Sequence, residues 1–366
     1  MMPPATRRKP AHMKRIVSLC ITLLASLALA MQAAATLPSS GCGKSLSSGN
    51  YTLSHAGVTR HYRLFIPTGY RADTASPLVV AFHGWGGNEN EFLGNTSVRA
   101  ASDRHGYIVV APRGLGAGAP DRSYNSWTFS GSATGLDGDG LNSAVTGDTD
   151  AICDPRTTPD YRYPSCRDPA RTVASNTCSW TQCRADDVAF TRTLVTRIGR
   201  SLCVDTSRVF ATGGSNGGMF VWELGQNARS SPLFRAIAPV IGLPHRGYLA
   251  PPGRTRPLPV LLITGTQDTT VPPGPWENPG FTTTSNGGDR FFYTGATAIT
   301  RVWSKANGCG LSTAVPFDDG VTATECRTYC SGFSGWPRVL DCRAGMGHDY
   351  GLPWSWSLAL TFFNRS

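Results

Sequence analysis

The sequence lacks a run of about five or six like charges, a heptad pattern and any repeat of about 20–50 residues. These absences argue against a basic nucleic-acid-binding tail, a coiled coil and a solenoid. The net charge of +10 does not alter this interpretation, because five of the 34 basic residues lie in residues 1–35, which hold no acid. The rest of the chain has 29 basic and 24 acidic residues in scattered positions, so we expect no nucleic-acid partner.

A long hydrophobic run suited to a membrane span is also missing. The apolar segment Ile16–Ala30 is short, follows Lys14 and precedes an Ala-rich stretch that ends at Ala35. A positive start, a short apolar region and an Ala-x-Ala site are typical of a secretory signal peptide, which we assign to residues 1–35. Met13 is an alternative start, cleavage after Ala30 an alternative site, and an N-terminal anchor helix an alternative role. We expect a secreted protein without stable membrane association after cleavage.

Metal-binding patterns are missing around the cysteines. Cys20 lies in the predicted signal, and no histidine lies near the two closest cysteine pairs, 178/183 and 326/330. Zinc is therefore disfavoured, and an oxidising compartment favours disulfide bonds. Spacing does not fix the pairing of the ten remaining cysteines, which are Cys42, Cys153, Cys166, Cys178, Cys183, Cys203, Cys309, Cys326, Cys330 and Cys342.

Apolar runs alternate with amphipathic segments along most of the chain. This order predicts an α/β fold with a mostly parallel central sheet flanked by helices. No linker-like segment divides residues 36–366, which favours a single domain. Strands are predicted at 62–66, 78–82, 107–111, 209–212, 236–241, 260–264 and 339–342, and helices at 186–202, 217–228, 296–307 and 357–364.

Residues 113–183 interrupt this alternation. They are rich in Gly, Asp, Pro and Ser and hold four of the cysteines. A loop of about 70 residues is unusual inside a compact domain, so we interpret this segment as a disulfide-pinned cap near a binding site. A passive surface excursion is the alternative. Acidic residues between 137 and 154 are interpreted as solvated loop acids rather than a calcium site, and we predict no metal and no organic cofactor.

A G-x-S-x-G pattern runs from Gly213 to Gly217, directly after a predicted strand and before a predicted helix. This is the context of a nucleophile elbow, in which a sharp, strained turn exposes the serine hydroxyl. Side chains at positions 213 and 217 would clash with that turn. No Gly-Lys-Ser/Thr follows, which disfavours a phosphate-binding loop. We therefore predict Ser215 as a nucleophile.

A serine nucleophile needs a histidine base. Triads of this kind run serine, acid, histidine along the chain, and only His245 and His348 follow Ser215. His348 lies in a Gly-rich loop just after the strand predicted at 339–342, which suits a base. His245 follows its strand almost directly and is the alternative.

The predicted acid is Asp268, which lies in a loop just past a buried strand. That position presents a carboxylate at the carboxyl edge of the sheet, where it can orient the imidazole. Asp318 and Asp319 are rivals in a less strand-like context. Asp349 adjoins His348 too closely in sequence to orient it.

Two backbone N–H groups are predicted to hold the oxyanion. Asn216 directly follows the nucleophile, and Trp85 lies in a Gly-rich loop after the strand at 78–82, which are the two positions that such donors occupy. Gly84 allows the backbone to approach a substrate closely. We predict that His83 braces this loop by hydrogen bonds and is not the base.

Four segments together resemble one known family: 77–87, 186–190, 211–219 and 265–272. They are similar to the secreted esterases that include feruloyl esterases, acetylxylan esterases and short, single-domain polyhydroxybutyrate depolymerases. The resemblance implies an α/β-hydrolase fold and a triad of Ser215, Asp268 and His348. The family pattern continues after its histidine with one residue and then Trp-Pro-Gly, whereas Tyr350 stands here at the Trp position, so the pocket wall is expected to differ.

The predicted reaction is ester hydrolysis through an acyl-enzyme. Feruloyl esters of plant cell-wall polysaccharide are the preferred substrate, which makes a polymer-linked ester the expected partner. Polyhydroxybutyrate depolymerase and acetylxylan esterase are the alternatives, followed by a serine peptidase and a non-catalytic secreted binding protein. Aromatic rings can stack on a phenolic acid or a sugar, and the candidates for such contacts are Trp127, Trp276 and Trp354, with Trp336 and Trp356 as further candidates.

Overall fold

The computed structural model describes residues 36–116, 124–132, 153, 163, 181–182, 185–246, 257–277, 281–283, 290–311, 313–320, 324–330 and 338–366. The predicted signal at 1–35 and most of the predicted insertion at 113–183, including Cys166, Cys178 and Cys183, lie outside the described residues, as does Trp336. Leu37–Ser366 form one compact unit. The signal peptide and the domain boundary at residue 36 stay predictions.

Twelve strands are found in the described part of the chain. Ten of them form one mixed sheet, and β8 and β9 form a separate antiparallel pair. The strands are β1 Gly49–His55, β2 Val58–Phe65, β3 Ser76–Phe82, β4 Ile108–Pro112, β5 Val204–Gly214, β6 Ala236–Val240, β7 Val260–Gly265, β8 Phe281–Thr283, β9 Phe292–Thr294, β10 Val315–Phe317, β11 Thr324–Thr328 and β12 Val339–Ala344.

The order of the large sheet is β1-β2-β4-β3-β5-β6-β7-β12-β11-β10. The six strands from β4 to β12 pair in parallel, and the outer strands on both sides pair antiparallel. The central strands β4, β6, β7 and β12 are buried along their whole length, as a parallel sheet covered on both faces requires. The predicted α/β-hydrolase fold with a mostly parallel sheet is confirmed.

Helices cover both faces of the sheet. On β3, Leu78 and Val80 contribute to one core cluster and Val79 to the other, because successive side chains in a strand point to opposite faces. None of the described helices has the length and apolar character of a membrane span. The α-helices are α1 Asn90–Leu93, α2 Thr96–Arg104, α3 Asp187–Ser201, α4 Asn216–Gln226, α5 Ala296–Ala306 and α6 Trp354–Arg365.

The helix predicted at 186–202 begins as its acidic start suggests. The side chain of Asp186 accepts a hydrogen bond from the Ala189 N–H at 2.9 Å and caps α3. Asp187 instead forms a buried ion pair with Arg60 at 2.8 Å. Its other oxygen accepts from the Thr128 N–H at 2.8 Å, so it ties the segment 124–132 to the helix.

Sequence patterns did not predict the outer strands β1, β10 and β11. In β1 the side chains are alternately half-buried and exposed, so the strand contains no apolar run. Its partner β2 is joined to it through Ala56 and Gly57, with φ values of 48° and 77°. Positive φ at both central residues is the geometry of a tight hairpin, although Ala is an unusual residue to adopt it.

Three disulfide bonds lie within the described residues: Cys42–Cys203, Cys309–Cys330 and Cys326–Cys342. Cys153 is also disulfide-bonded. The expectation of disulfides is confirmed at these positions. Cys326 does not pair with its close neighbour Cys330, because β11 and β12 place Cys326 directly opposite Cys342.

His245, the alternative base, is fully buried in an aromatic cluster. Its ring stacks on Phe129, at 5.7 Å, and on Tyr293, at 5.0 Å, and its Nδ1 lies 3.3 Å from the Phe292 carbonyl oxygen. Burial lowers the pKa of His245 to about 4. The side chain is therefore part of the core beside β9 and stays neutral near pH 7.

This burial predicts acid sensitivity. The unfolded imidazole, whose ordinary pKa is 6.5, takes up a proton before the folded one, whose pKa is about 4. The contribution of His245 is therefore complete above pH ~6.5 and declines toward pH ~4, by up to about 3 kcal/mol. We expect His245→Phe to reduce the loss of unfolding free energy between about pH 7 and 4.5, measured by urea denaturation.

The change of the unfolding free energy with pH separates this effect from a general loss of stability, which lowers the unfolding free energy at every pH. His105→Phe, at an exposed position, controls for the added phenyl ring. A His245→Phe variant that loses as much free energy on acidification as the parent would refute the assignment.

Candidate active site

Ser215 lies in the sharp turn between β5 and α4. Its backbone has φ 54° and ψ −121°, and its N–H donates to the Val240 carbonyl at 2.9 Å. A side chain at Gly217 would overlap the Phe82 carbonyl. The strained conformation and the glycine requirement are those of a nucleophile elbow. The hydroxyl therefore stands at the carboxyl edge of the parallel sheet, at the start of a helix.

His348 and Asp268 meet Ser215 at this edge. His348 Nε2 lies 2.9 Å from Ser215 Oγ, and His348 Nδ1 lies 2.7 Å from Asp268 Oδ2. Asp268 lies in the loop after β7, and His348 lies in the loop after β12. These loops converge because β7 and β12 are parallel neighbours whose last residues, Gly265 and Ala344, are in register. The structure thus brings together three side chains that are 133 and 80 residues apart in sequence.

The hydrogen-bond pattern fixes the tautomer of His348. Asp268 has no exposed side-chain surface, and its Oδ1 accepts from the N–H groups of Thr270 and Val271 at 2.8 and 2.9 Å. A carboxylate can only accept, so His348 Nδ1 carries the proton and Nε2 is left to accept the proton of Ser215. This is the arrangement that activates a serine hydroxyl.

The rival acids lie in local turns. Asp318 accepts from the Gly320 N–H at 2.9 Å, and Asp349 accepts from the Gly351 N–H at 2.6 Å. Asp319 accepts from the Thr324 hydroxyl at 2.6 Å. Each carboxylate thus has a partner within five residues of its own position.

Asn216 is the first residue of α4, so its backbone N–H has no acceptor within the helix. Its side chain is fully buried: Oδ1 accepts from the Trp127 N–H at 2.7 Å, and Nδ2 donates to the Trp127 carbonyl at 3.0 Å. These two bonds fix Asn216 against the segment 124–132. The backbone donor beside Ser215 is therefore held in place by its own side chain.

His83 fixes the peptide group that precedes Trp85. The Gly114 N–H donates to His83 Nε2 at 2.9 Å, so the ring proton must be on Nδ1, which donates to the Gly84 carbonyl at 2.6 Å. In a trans peptide the carbonyl and the following N–H point in opposite directions. His83 therefore directs the Trp85 N–H away from itself. Burial lowers the pKa of His83 to about 4, so the ring is neutral near pH 7.

Two of the tryptophans predicted to contact substrate are buried in the structure. Trp127 is completely buried, stacks on Phe220 and donates from Nε1 to the His83 carbonyl at 2.9 Å. Its predicted role in substrate binding is wrong, because a ring without exposed surface cannot stack on a ligand. Trp356, a further candidate, is also buried. Both rings belong to the core.

Trp276 and Trp354 are half-buried. The guanidinium carbon of Arg343 lies 3.5 Å from the centre of the Trp276 ring and that of Arg327 lies 4.4 Å away, which are cation–π distances. Trp354 packs against Gly351, where a side chain would overlap its indole. Substrate contacts of both rings stay predictions.

Sequence reasoning missed two side chains beside the site, Glu91 and Tyr350. The Tyr350 hydroxyl accepts a hydrogen bond from the Gly84 N–H at 2.6 Å and donates one to Glu91 Oε2 at 2.7 Å. Tyr350 and Glu91 are 259 residues apart, and no motif links them. Only the departure from the family pattern at Tyr350 pointed to this position.

One group of metal-ligating residue types occurs in the described part of the chain: Asp319, Cys326 and Cys342. The two cysteines are joined in a disulfide bond, so they offer no thiolates to an ion. The acidic segment at 137–154 lies outside the described residues, apart from residue 153.

Comparisons with known proteins found only distant similarities. No protein-family model matches the sequence. A protein named "Putative esterase NocK" from Nocardia uniformis subsp. tsuyamanensis is 28% identical over 218 residues, which are 58% of this chain and 46% of that protein. The chain thus spans about half the length of this relative.

Several solved structures cover most of the chain at low identity. An acetyl xylan esterase from Aspergillus awamori has a TM-score of 0.49 and 14% identity, over 86% of this chain and 99% of its own. The structure titled "sOPH Native" has a TM-score of 0.49 and 16% identity, over 88% and 87%. At these values the function has to be inferred from the site itself.

Proposed function

We propose that the protein is a secreted serine esterase that hydrolyses carboxylic esters through an acyl-enzyme. One observation carries this proposal: the hydrogen-bond chain from Ser215 through His348 to Asp268, with distances of 2.9 and 2.7 Å. The strained turn and the tautomer fixed by Asp268 give each member a distinct role. Secretion rests on the signal predicted at residues 1–35.

In the proposed mechanism, Ser215 Oγ attacks the ester carbonyl while its proton passes to His348 Nε2. The backbone N–H groups of Trp85 and Asn216 stabilise the oxyanion of the tetrahedral intermediate. The C–O bond to the alcohol then breaks, and His348 gives its proton to the leaving alcohol. A water molecule then attacks the acyl-enzyme while its proton passes to His348. The bond between Ser215 Oγ and the acyl carbon breaks, His348 returns the proton to Ser215 Oγ, and the acid is released.

We further propose feruloyl esters of plant cell-wall polysaccharide as the substrate. The support is an aromatic pair that includes the predicted oxyanion donor: the half-buried Trp85 ring lies 4.8 Å from the ring of Tyr124, which is 43% exposed. Trp85 Nε1 donates to the Tyr163 hydroxyl, which donates to the Tyr124 carbonyl, at 2.8 and 2.9 Å. Such rings suit a planar phenolic acyl group.

A substrate panel tests both levels of the proposal. Purified protein and its Ser215→Ala variant are assayed on methyl ferulate, feruloylated arabinoxylan, acetylated xylan, hydroxybutyrate oligomers and peptides. We expect the highest kcat/KM on the feruloyl esters and, with the variant, hydrolysis too slow to detect on this panel. Higher kcat/KM on acetylxylan or hydroxybutyrate esters would overturn the feruloyl substrate and keep the esterase.

Two results would contradict the esterase itself. Preferential cleavage of peptides would indicate a serine peptidase. Failure of a fluorophosphonate probe to label Ser215 would indicate a protein that binds without a nucleophile.

A further inference from the structure

Three polar groups meet at the loop after β3 that carries Trp85, the predicted oxyanion donor. The Gly84 N–H lies 2.6 Å from the Tyr350 hydroxyl oxygen and 3.0 Å from Glu91 Oε2, and the Tyr350 hydroxyl donates to the same Glu91 oxygen at 2.7 Å. Gly84 follows β3, Glu91 lies in α1, and Tyr350 lies two residues after His348. The triangle thus connects the loop of the oxyanion donor with the loop of the base.

The ring of Tyr350 fits closely between these elements. It stacks on Phe92 with a centroid distance of 5.4 Å. A side chain at Gly214, the residue before the nucleophile, would overlap the ring, and one at Gly84 would overlap the hydroxyl. A single side chain therefore reaches from the nucleophile turn to the residue before Trp85.

The electrostatics keep this contact in one form. Burial, followed by the charge of Glu91, raises the pKa of Tyr350 well above its ordinary value. Tyr350 is therefore an uncharged phenol near neutral pH, with one proton to donate and lone pairs to accept. Burial also raises the pKa of Glu91. Its Oε2 accepts from both neighbours in either protonation state.

We propose that Tyr350 and Glu91 are positioning residues, which hold the Gly84–Trp85 peptide so that the Trp85 N–H meets the oxyanion. This inference rests on the proposed esterase function. The peptide is then fixed from two sides, because His83 holds its carbonyl and the Tyr350–Glu91 pair holds the preceding N–H. Neither residue touches the reacting atoms, and both act through the geometry of the loop.

Steady-state kinetics on p-nitrophenyl butyrate test this role in the full chain. We expect Tyr350→Phe and Glu91→Ala each to lower kcat by about 10–100-fold with KM within about threefold of the parent, since a displaced donor loses transition-state stabilisation and not substrate binding. The double variant should lose little more than the worse single variant, because both act on one hydrogen-bond triangle. Glu91→Gln, which keeps the acceptor oxygen, should retain kcat within about fivefold.

Tyr107→Phe is the matched control. It removes another buried hydroxyl, which donates to Asn364 at 2.8 Å, and should leave kcat unchanged. The inference is overturned if kcat stays within about threefold of the parent in either Tyr350→Phe or Glu91→Ala, if Glu91→Gln loses as much as Glu91→Ala, or if Tyr107→Phe loses as much kcat. Each of these results refutes the positioning role and leaves the esterase proposal intact. The esterase proposal itself fails if the parent protein shows no Ser215-dependent hydrolysis.

Discussion

Replacement of Ser215 by alanine is expected to lower kcat for ester hydrolysis by about 10⁴- to 10⁶-fold. The methyl group cannot form the acyl-enzyme, so only the oxyanion donors and bound water remain to act on the ester. Because Ser215 is half-buried and its Oγ is bonded to His348 alone among the described contacts, loss of the hydroxyl should leave the fold intact. Hydrolysis of p-nitrophenyl butyrate, with fluorophosphonate labelling as a second readout, measures the effect.

The strained turn gives this experiment an internal control. Alanine keeps a Cβ at φ 54°, whereas glycine adopts such backbone angles without steric strain. We therefore expect Ser215→Gly to be as inactive as Ser215→Ala but more stable by about 1 kcal/mol. At ordinary positions glycine is the less stable of the two. Equal or lower stability of the glycine variant in urea denaturation would argue against the strained elbow.

The second large effect is expected from Asp268→Asn, which should lower kcat by about 10³- to 10⁴-fold near pH 7. The N–H groups of Thr270 and Val271 both donate to Asp268 Oδ1, so an asparagine must place its carbonyl oxygen there. Its NH₂ group then faces His348 Nδ1. That nitrogen has to accept, the ring proton moves to Nε2, and the base can no longer take the proton of Ser215.

Asp349→Asn is the matched control for this prediction. Asp349 adjoins His348 in sequence, but its carboxylate accepts from the Gly351 N–H in a local turn. We expect its kcat to remain within about threefold of the parent. If Asp268→Asn keeps more than about a tenth of the parent activity, or if Asp349→Asn is the more damaged variant, then Asp268 does not orient His348.

The central fold could be predicted because its signals are local. Buried strands such as Val260–Gly265 contain continuous apolar runs, and parallel strands covered on both faces require such runs. The outer strands escaped prediction, since a half-exposed strand such as β1 carries mixed residues and depends on its hairpin partner. The same contrast applies to the aromatic residues. From the sequence, Trp127 is a candidate for a ligand contact. Only its packing on Phe220 in the structure shows that its ring belongs to the core.

The sequence by itself determined the elbow at Ser215, because a turn of five residues with obligatory glycines is encoded where it forms. It also predicted the order along the chain of the proposed nucleophile, acid and base, since each lies just past a strand. Only the tertiary structure decided which cysteine faces Cys326 and which tyrosine meets Glu91. Contacts between residues far apart in the chain depend on strand register and loop convergence, and no local pattern records them.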